Sequence, residues 1–388
     1  MGETDMGQRL KTDWILFAAV LALVLFGLLM VYSASSIMAG LDARYNSSGY
    51  FVLRQAGYAV VAVIAMMALK RTDYRRFQDP AVAFGALGIA LILLFTVYFV
   101  DGEHHRWLRL GGPVGVQPSE LAKPALVIFL AFFVTWRARA INNPRHTLAP
   151  VALAVGFLIF AVVVADLGTA IVLALAAMAV FFVAGLEWRY CFIVAAVAFL
   201  GLVVSIFAEP YRLGRVIRFF DPGFQYVSRI DPHGWLKARS ERTLRTRDTN
   251  YQLEQSQIAV GAGGVAGVGL MNGRQKLLYL PEAHTDFIYA VVGEETGLFG
   301  TVGLLAGFAV VLWRGVRTAM RMRDDFGRYL ALGVTMVIVI QGFINMSVVL
   351  GIMPTKGIPL PMISYGGSSL VSTLALLGIL MNVGEHAG

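Results

Sequence analysis

The chain has 388 residues, of which 57% are hydrophobic and only 14% are charged, with a mean hydropathy of +0.69. Soluble domains carry about 25% charged residues, so this composition excludes an ordinary soluble protein and predicts an integral membrane protein. The net charge of +8 does not indicate nucleic-acid binding, because the basic residues lie between apolar runs instead of clustering on one face.

The apolar runs predict an all-α polytopic membrane protein with about ten transmembrane helices, since a span needs about 20 apolar residues. The N-terminus lacks the short apolar core and cleavage site of a removed signal peptide, so we expect the first run to stay as an anchor. The single cysteine, Cys191, excludes an internal disulfide. We interpret residues 1–388 as one domain, with spans at roughly 14–35, 51–69, 80–100, 118–136, 147–165, 168–187, 191–207, 287–313, 328–350 and 367–385.

The charges of the connecting segments predict the orientation. With a cytosolic N-terminus, the short inner segments hold fifteen Lys and Arg residues, whereas the short outer ones hold Arg44, Arg106, Arg109 and Lys356. Basic residues favour the cytoplasmic side of a membrane, so both termini are expected to be cytosolic.

A long, mostly polar segment, 208–286, forms a large outer loop before the eighth span. Arg212, Arg215 and Arg218 follow helical spacing among apolar residues, which predicts an amphipathic interfacial helix. Residues 237–247 are rich in Lys and Arg, and a disordered spacer is an open alternative for residues 231–250. The glycines from 261 to 269 predict close backbone packing or a re-entrant turn.

Ionisable residues inside spans are candidates for function, because burying them in a membrane is costly. Asp286 opens span eight, where it could be a helix N-cap or a base at the outer boundary, next to His284. Glu294 and Glu295 are expected about 12 Å deeper along the same helix, where a structural polar contact is favoured.

Three further polar sites lie at predicted outer helix ends. Glu120 and Lys123 share a helix face, as an internal ion pair or as a cavity lining in which Lys123 meets an anion. Asp166 lies in a tight turn, as a cap or as part of the same cavity. The loop from Pro354 to Ser369 could hold a phosphate through Lys356 and a helix start, or could be a structural re-entrant loop.

These motifs resemble, over nearly the whole chain, the SEDS family of cell-wall polymerases, the FtsW/RodA/SpoVE group. Two segments, Gln275 to Asp286 and Pro354 to Gly357, are more similar to the FtsW branch than to RodA. The motifs that carry the resemblance are Val31 to Ser35, Arg106 with Trp107, Gln117 to Lys123, Asp166 to Thr169, Gln255 with Ser256, Gly263 with Gly264, Gln275 to Asp286, Gly293 to Glu295, and Lys356 to Ser369.

The resemblance implies a ten-helix protein of the bacterial cytoplasmic membrane that polymerises lipid II into glycan strands, with a role in cell division implied by the branch. It implies that Asp286 is catalytic and that Glu120, Lys123 and Asp166 line a central cavity. It also implies a class B penicillin-binding transpeptidase as partner, with other divisome or elongasome membrane proteins. Ala165 and Ala262 depart from the family pattern, and no function is carried over to 237–247.

In the implied reaction, the acceptor's 4-hydroxyl attacks the sugar carbon that carries undecaprenyl pyrophosphate, and Asp286 takes the proton. Partial burial is expected to raise the pKa of Asp286. No organic cofactor is expected, and a divalent cation, Mg²⁺ or Mn²⁺, is left open. The candidate substrate contacts are the cations Arg106, Lys123, Arg274 and Lys356, which would meet the pyrophosphate charge, with His284 and Ser364.

Two alternatives belong to other functional classes. A lipid II flippase would need polar groups through the full membrane depth, and those present lie mostly in the outer half. The other alternative is a non-catalytic scaffold for a transpeptidase. The charged residues inside the spans argue against a pure scaffold, because burying them is costly unless they have a function. Movement of lipid II without polymer formation would identify a flippase, and formation of polymer by the purified protein would exclude a pure scaffold.

Overall fold

The computed structural model describes residues 12–43, 45, 47–101, 106–109, 115–221, 223–231, 233–241, 248–277, 279–354 and 357–387. The first seven helices are connected by short segments, as predicted. A tight helical turn at Pro144–Leu148 precedes the fifth. These helices are α1 (Trp14–Leu41), α2 (Tyr50–Arg71), α3 (Pro80–Val100), α4 (Pro118–Trp136), α5 (Ala149–Ala165), α6 (Leu167–Val183) and α7 (Trp188–Ala208).

The long loop contains helices of its own. They are α8 (Pro210–Phe220), α9 (Gln225–Ile230), α10 (Trp235–Glu241) and α11 (Asp248–Gly263). Helix α8 carries the three arginines for which a helix is predicted. The basic stretch 237–247 is divided, because 237–241 belong to α10 while 242–247 lie outside the described residues.

The chain closes with α12 (Ile288–Arg321), α13 (Asp325–Val349) and α14 (Gly367–Glu385). Over the described ranges, nine helices are long and apolar enough to cross a membrane, and α6 is apolar but only 17 residues long. Span six was predicted to reach residue 187 and instead ends at Val183, before Gly185 turns the chain with a φ of 88°. The predicted helical membrane fold is confirmed, and the count of ten spans stays a prediction.

The described chain is not entirely helical. The outer loop between α3 and α4 contains a two-stranded antiparallel ribbon, β1 (Leu108–Arg109) and β2 (Gly115–Val116), with Leu108 opposite Val116. These strands were not predicted from the sequence.

Helices α4, α13 and α14 form the centre of the bundle. In the most apolar 18-residue stretch of these three helices, 78%, 72% and 72% of the residues are buried. The same fraction is 6% for the peripheral α7. A helix that is apolar and exposed on all sides suits lipid, whereas the three central helices bury their polar residues against each other.

Helix α12 is two helices joined at a sharp break. Gly297 has φ 64° and ψ −155°, outside the helical region, and a Cβ there would lie 2.4 Å from the backbone nitrogen of Gly267. Only glycine fits this position, so the chain turns there. The residues before the break form the first arm of α12, and those after it the second arm.

The break corrects the predicted depth of Glu294 and Glu295. We call outer the end of the bundle where α1 ends and α2 begins, following the predicted orientation. Glu295 bonds to Ser33 of α1, whereas the segment next to Asp286 lies near Gly27, six residues or about 9 Å further inward along α1. The first arm therefore runs outward from Asp286, and the prediction that the two glutamates lie deeper is wrong.

Candidate functional site

The backbone around Asp286 is held by two neighbouring elements. Ser364 donates its hydroxyl to the carbonyl of Thr285 at 2.6 Å, and Asn345 of α13 donates to the carbonyl of Asp286 at 2.8 Å. Helix α12 begins at Ile288 with Phe287 as its N-cap residue and no side-chain cap. The capping interpretation of Asp286 is therefore wrong.

The carboxylate of Asp286 lies against the backbone of Gly357. A Cβ built on Gly357 would lie 2.5 Å from Oδ2 of Asp286, closer than real Cβ contacts. The carboxylate occupies the space that a side chain at position 357 would fill. Glycine is therefore the residue that fits at this point of the last outer loop.

The electrostatics of Asp286 suit a proton acceptor. The pKa of Asp286 is raised from 3.8 to about 7, first by burial and then by the negative charges of Glu282 and Asp166, while the positive charges of Arg106 and Arg215 oppose the rise. A carboxylate with a pKa close to neutral is a much stronger base than an exposed aspartate. The expected pKa rise is confirmed.

Arg106 and Asp166 form an ion pair beside this carboxylate. Their closest atoms, Nη2 and Oδ2, are 3.5 Å apart, and Asp166 is almost fully buried. Asp166 also accepts hydrogen bonds from the backbone nitrogen of Gly168 at 2.9 Å and the hydroxyl of Thr169 at 2.8 Å. It therefore caps α6 and also contributes charge to the site, so the two interpretations hold together.

Arg215 is a cation near Asp286 that was not predicted from the sequence. Its pKa is lowered to about 10, first by burial and to a smaller extent by the positive charge of Arg106, while the negative charge of Asp286 opposes the lowering. The residue lies on α8, which Arg212 ties to α5 through a 2.9 Å bond to the carbonyl of Val163. The pattern of arginines predicted the helix, but it did not indicate which arginine faces the acid.

Glu120 and Lys123 form an ion pair, which is the first of the two alternatives, with Oε2 and Nζ 2.6 Å apart and both side chains at most 2% exposed. Lys123 also donates to the amide oxygen of Gln341 at 2.6 Å, and Gln341 donates to the carbonyl of Pro359 at 2.8 Å. Both charges of the pair are thus compensated inside the bundle. Oε1 of Glu120 is buried without a partner in the described part of the chain, so this oxygen is the free acceptor of the pair.

His284 and Ser364 contact other protein groups. The ring of His284 packs on Phe51 and Tyr365, with centroids 4.7 and 5.7 Å apart, and burial lowers its pKa. The hydroxyl of Ser364 bonds to Thr285 and accepts from the backbone nitrogen of Leu360 at 2.8 Å. Both residues support the segment that carries Asp286, and their contact with substrate stays a prediction.

A buried cluster of charges lies at the other end of the first arm of α12. Lys276 pairs with Glu295 at 2.5 Å and bonds to Ser33 at 2.9 Å. Glu294 accepts from the backbone nitrogens of Arg274 and Gln275 at 2.6 and 3.2 Å. These contacts tie the loop to the break in α12.

This cluster lies apart from Asp286. Lys276 is buried and its charge is neutralised by Glu295, so it is not available to the site of Asp286. Arg274 is exposed and lines a cavity of about 410 Å³ together with Glu294. Glu294 is eight residues from Asp286, which corresponds to about 12 Å along the first arm. Lys356 lies outside the described residues. Binding of pyrophosphate by Arg274 or Lys356 stays a prediction.

Two amides of α13 were also missed. Gln341 and Asn345, four residues apart, face the Lys123 pair and the Asp286 backbone. A signal was present in the sequence, because polar side chains at helical spacing within an apolar span are expected to be functional or structural contacts.

The comparison with protein families decides the affiliation of the chain. The profile of the cell cycle proteins FtsW, RodA and SpoVE matches residues 13–388. The chain belongs to this family. Together with its many apolar helices, membership in the FtsW/RodA/SpoVE family makes it a multi-pass membrane protein.

Named relatives resemble the chain over almost its full length. It is 38% identical to a probable peptidoglycan glycosyltransferase FtsW of Geobacter metallireducens, over 96% of this chain and 94% of the relative. It is 34% identical to stage V sporulation protein E of Bacillus subtilis, over 98% of this chain and 99% of the relative.

Solved structures of the family share the fold. RodA of Thermus thermophilus superposes with a TM-score of 0.66 at 26% identity and covers 97% of both chains. A chain from a structure described as the structural coordination of polymerization and crosslinking by a peptidoglycan synthase complex gives a TM-score of 0.72 at 27% identity. This second match covers 97% of this chain and 99% of that one.

Proposed function

We propose that the chain is a peptidoglycan glycosyltransferase that polymerises lipid II at the outer face of the bacterial cytoplasmic membrane during cell division. The observation that carries the proposal is the carboxylate of Asp286, half-buried, with a pKa raised to about 7 and with Arg106 and Arg215 nearby. The names of the FtsW relatives support the same activity.

In the proposed step, the oxygen of the acceptor's 4-hydroxyl forms a bond to the anomeric carbon of the donor. The bond from that carbon to the pyrophosphate oxygen breaks, and undecaprenyl pyrophosphate leaves with the electron pair. Asp286 takes the hydroxyl proton. Because pyrophosphate is a stable anion, the site needs cations to meet its charge more than it needs a strong acid.

Arg106 and Arg215 are the best placed cations for the leaving group. Both lie close enough to Asp286 to affect its pKa, so a pyrophosphate bound between them would be next to the reacting carbon. Lys123 is already paired with Glu120 and would meet the leaving group only by a change of partner, whereas the partnerless oxygen of Glu120 would accept a hydrogen bond from a substrate hydroxyl.

A divalent cation, Mg²⁺ or Mn²⁺, would take most of its ligands from the pyrophosphate. Over the ranges that the structure covers, no three His, Cys, Asp or Glu residues are grouped closely enough to hold a metal. The proposed chemistry of Asp286 and the two arginines does not require the ion, which would share the charge of the leaving group.

We further propose that both termini are cytosolic and that the chain acts with a membrane-anchored class B penicillin-binding transpeptidase. One structural relative belongs to a peptidoglycan synthase complex that coordinates polymerization and crosslinking, which supports this class of partner. The transpeptidase would crosslink the strands that this chain makes, and other divisome membrane proteins would assemble around the pair.

The experiment is polymer formation by the purified protein in proteoliposomes with lipid II, alone and with the transpeptidase. Glycan strands that form with the protein alone would support a polymerase, and strands that need the partner would support a partner-activated one. A second arm follows labelled lipid II between leaflets. Transfer between leaflets with no polymer in either condition would refute the proposal in favour of a flippase.

A further inference from the structure

Asn345 joins two segments that meet at Asp286. Its side chain, on α13, is only 1% exposed. Its amide nitrogen donates to the carbonyl of Asp286 at 2.8 Å and to the carbonyl of Ile358 at 2.7 Å. Both N–H groups of one amide are thus used on backbone oxygens of different segments.

The two bonds set the position of the acid. Ile358 follows Gly357, whose backbone lies against the carboxylate of Asp286. With the two carbonyls held by the same nitrogen, the Asp286 segment and the Gly357 segment cannot separate without breaking a buried hydrogen bond. Breaking it would leave a carbonyl unsatisfied in apolar surroundings.

Gln341 repeats the arrangement one helical turn further inward. It accepts from Lys123 and donates to the carbonyl of Pro359, which follows Ile358. Residues four apart lie on one face of a helix, so the two amides fasten consecutive residues of the last outer loop. That loop is therefore fixed relative to the Glu120–Lys123 pair as well as to Asp286.

A buried asparagine can also be a purely structural residue, and the chain contains such a case. Asn382 of α14 is fully buried, accepts from the backbone nitrogen of Tyr74 at 2.9 Å and donates to the carbonyl of Lys70 at 2.7 Å. It joins two segments at the inner end of the bundle. The residue therefore provides a matched control with similar bonds at the opposite end from the acid.

We propose that Asn345 is a positioning residue for glycosyl transfer, which acts by holding the backbones of Asp286 and Ile358 at a fixed separation. The proposal rests on the proposed function, because it assigns Asn345 a part in the work of Asp286. It predicts that loss of the donor affects the chemical step more than substrate binding.

The test compares Asn345→Leu, which keeps the side-chain volume and removes the donor, with Asn382→Leu, each assayed for lipid II polymerisation. Asn345→Leu is expected to lower kcat on the order of 100-fold with KM little changed, because small displacements of a catalytic group cost this much. Asn382→Leu is expected to keep the wild-type kcat in the fraction that remains folded.

A second measurement does not depend on turnover. Labelling of Asp286 by a carbodiimide, which reacts with the protonated carboxyl, is followed against pH by mass spectrometry. The labelling midpoint is expected to move to lower pH in Asn345→Leu, because a loosened segment admits water to the carboxylate. Asn382→Leu is expected to leave the midpoint unchanged.

The outcomes separate the two proposals. Equal kcat values and equal labelling midpoints for Asn345→Leu and Asn382→Leu would overturn the positioning role, whereas a wild-type protein that makes no polymer would overturn the proposed function instead. If Asn345→Leu does not fold, Asn345→Ser is compared with Asn382→Ser. Because serine keeps one shorter donor, the first is expected to lose part of kcat, and a wild-type kcat for it would overturn the role.

Discussion

The backbone of Gly357 allows a test of Asp286 that leaves the carboxylate in place. The substitution Gly357→Ala adds one methyl carbon 2.5 Å from Oδ2 of Asp286, where real Cβ contacts are at least 3.0 Å. The carboxylate or the loop must therefore move by at least about 0.5 Å. A displacement of this size at a catalytic group is expected to lower kcat by about 10- to 100-fold.

The assay is lipid II polymerisation at saturating substrate, with glycan strands separated on gels. Gly366→Ala is the matched control in the same loop, because its Cβ would meet Ser369 at an ordinary 3.7 Å and its φ of 169° is extended backbone. A wild-type kcat for Gly357→Ala, with the variant folded, would refute the reasoning that the carboxylate works where the structure places it.

Three further predictions concern charge. Lys276→Met should destabilise the protein by about 3–5 kcal/mol in detergent-unfolding titrations, because Glu295 is left buried without its cation, and adding Glu295→Gln should recover part of this loss. The kcat/KM for lipid II should fall about tenfold per pH unit below about pH 7, because protonated Asp286 cannot accept a proton, and a flat profile from pH 5 to 8 would contradict this. Arg215→Gln should move that pH midpoint upward, because the variant lacks a positive charge that lowers the pKa of Asp286, and should raise KM. Arg189→Gln, on an exposed side chain in the first turn of α7, should leave both unchanged.

Most of the membrane fold could be predicted from the sequence, because hydropathy and charge determine where helices can cross lipid. The same features do not determine the path of a helix. The four-residue spacing of Gly293 and Gly297 is typical of a close helix approach, and Gly293 does pack on Val260 of α11. The positive φ at Gly297, which reverses the first arm of α12, depends on how the loop from Gly264 to Gly269 packs against it.

The candidate site could be predicted only in part, because its contacts depend on how distant segments pack together. Asp286, Arg106 and Asp166 stand out as charges next to apolar runs, and the structure brings these three together. Sequence distance cannot show which of several cations reaches an acid, so the sequence did not reveal that Arg215 lies near Asp286 or that Lys276 pairs with Glu295. Asn345 is neutral, and it would attract attention only as a polar residue within a span.

The role of Asp286 is tested most directly by Asp286→Asn in the purified protein, assayed for glycan strands from lipid II at pH 8. The folded-state pKa lies above the ordinary 3.8, so the stabilising contribution of this carboxyl is lost as pH rises from about 4 to 7. The amide variant should therefore unfold at no lower a temperature than the wild type at this pH. We predict a folded protein that makes no polymer, and glycan synthesis by this variant at the wild-type rate would contradict the assignment of Asp286 as the base.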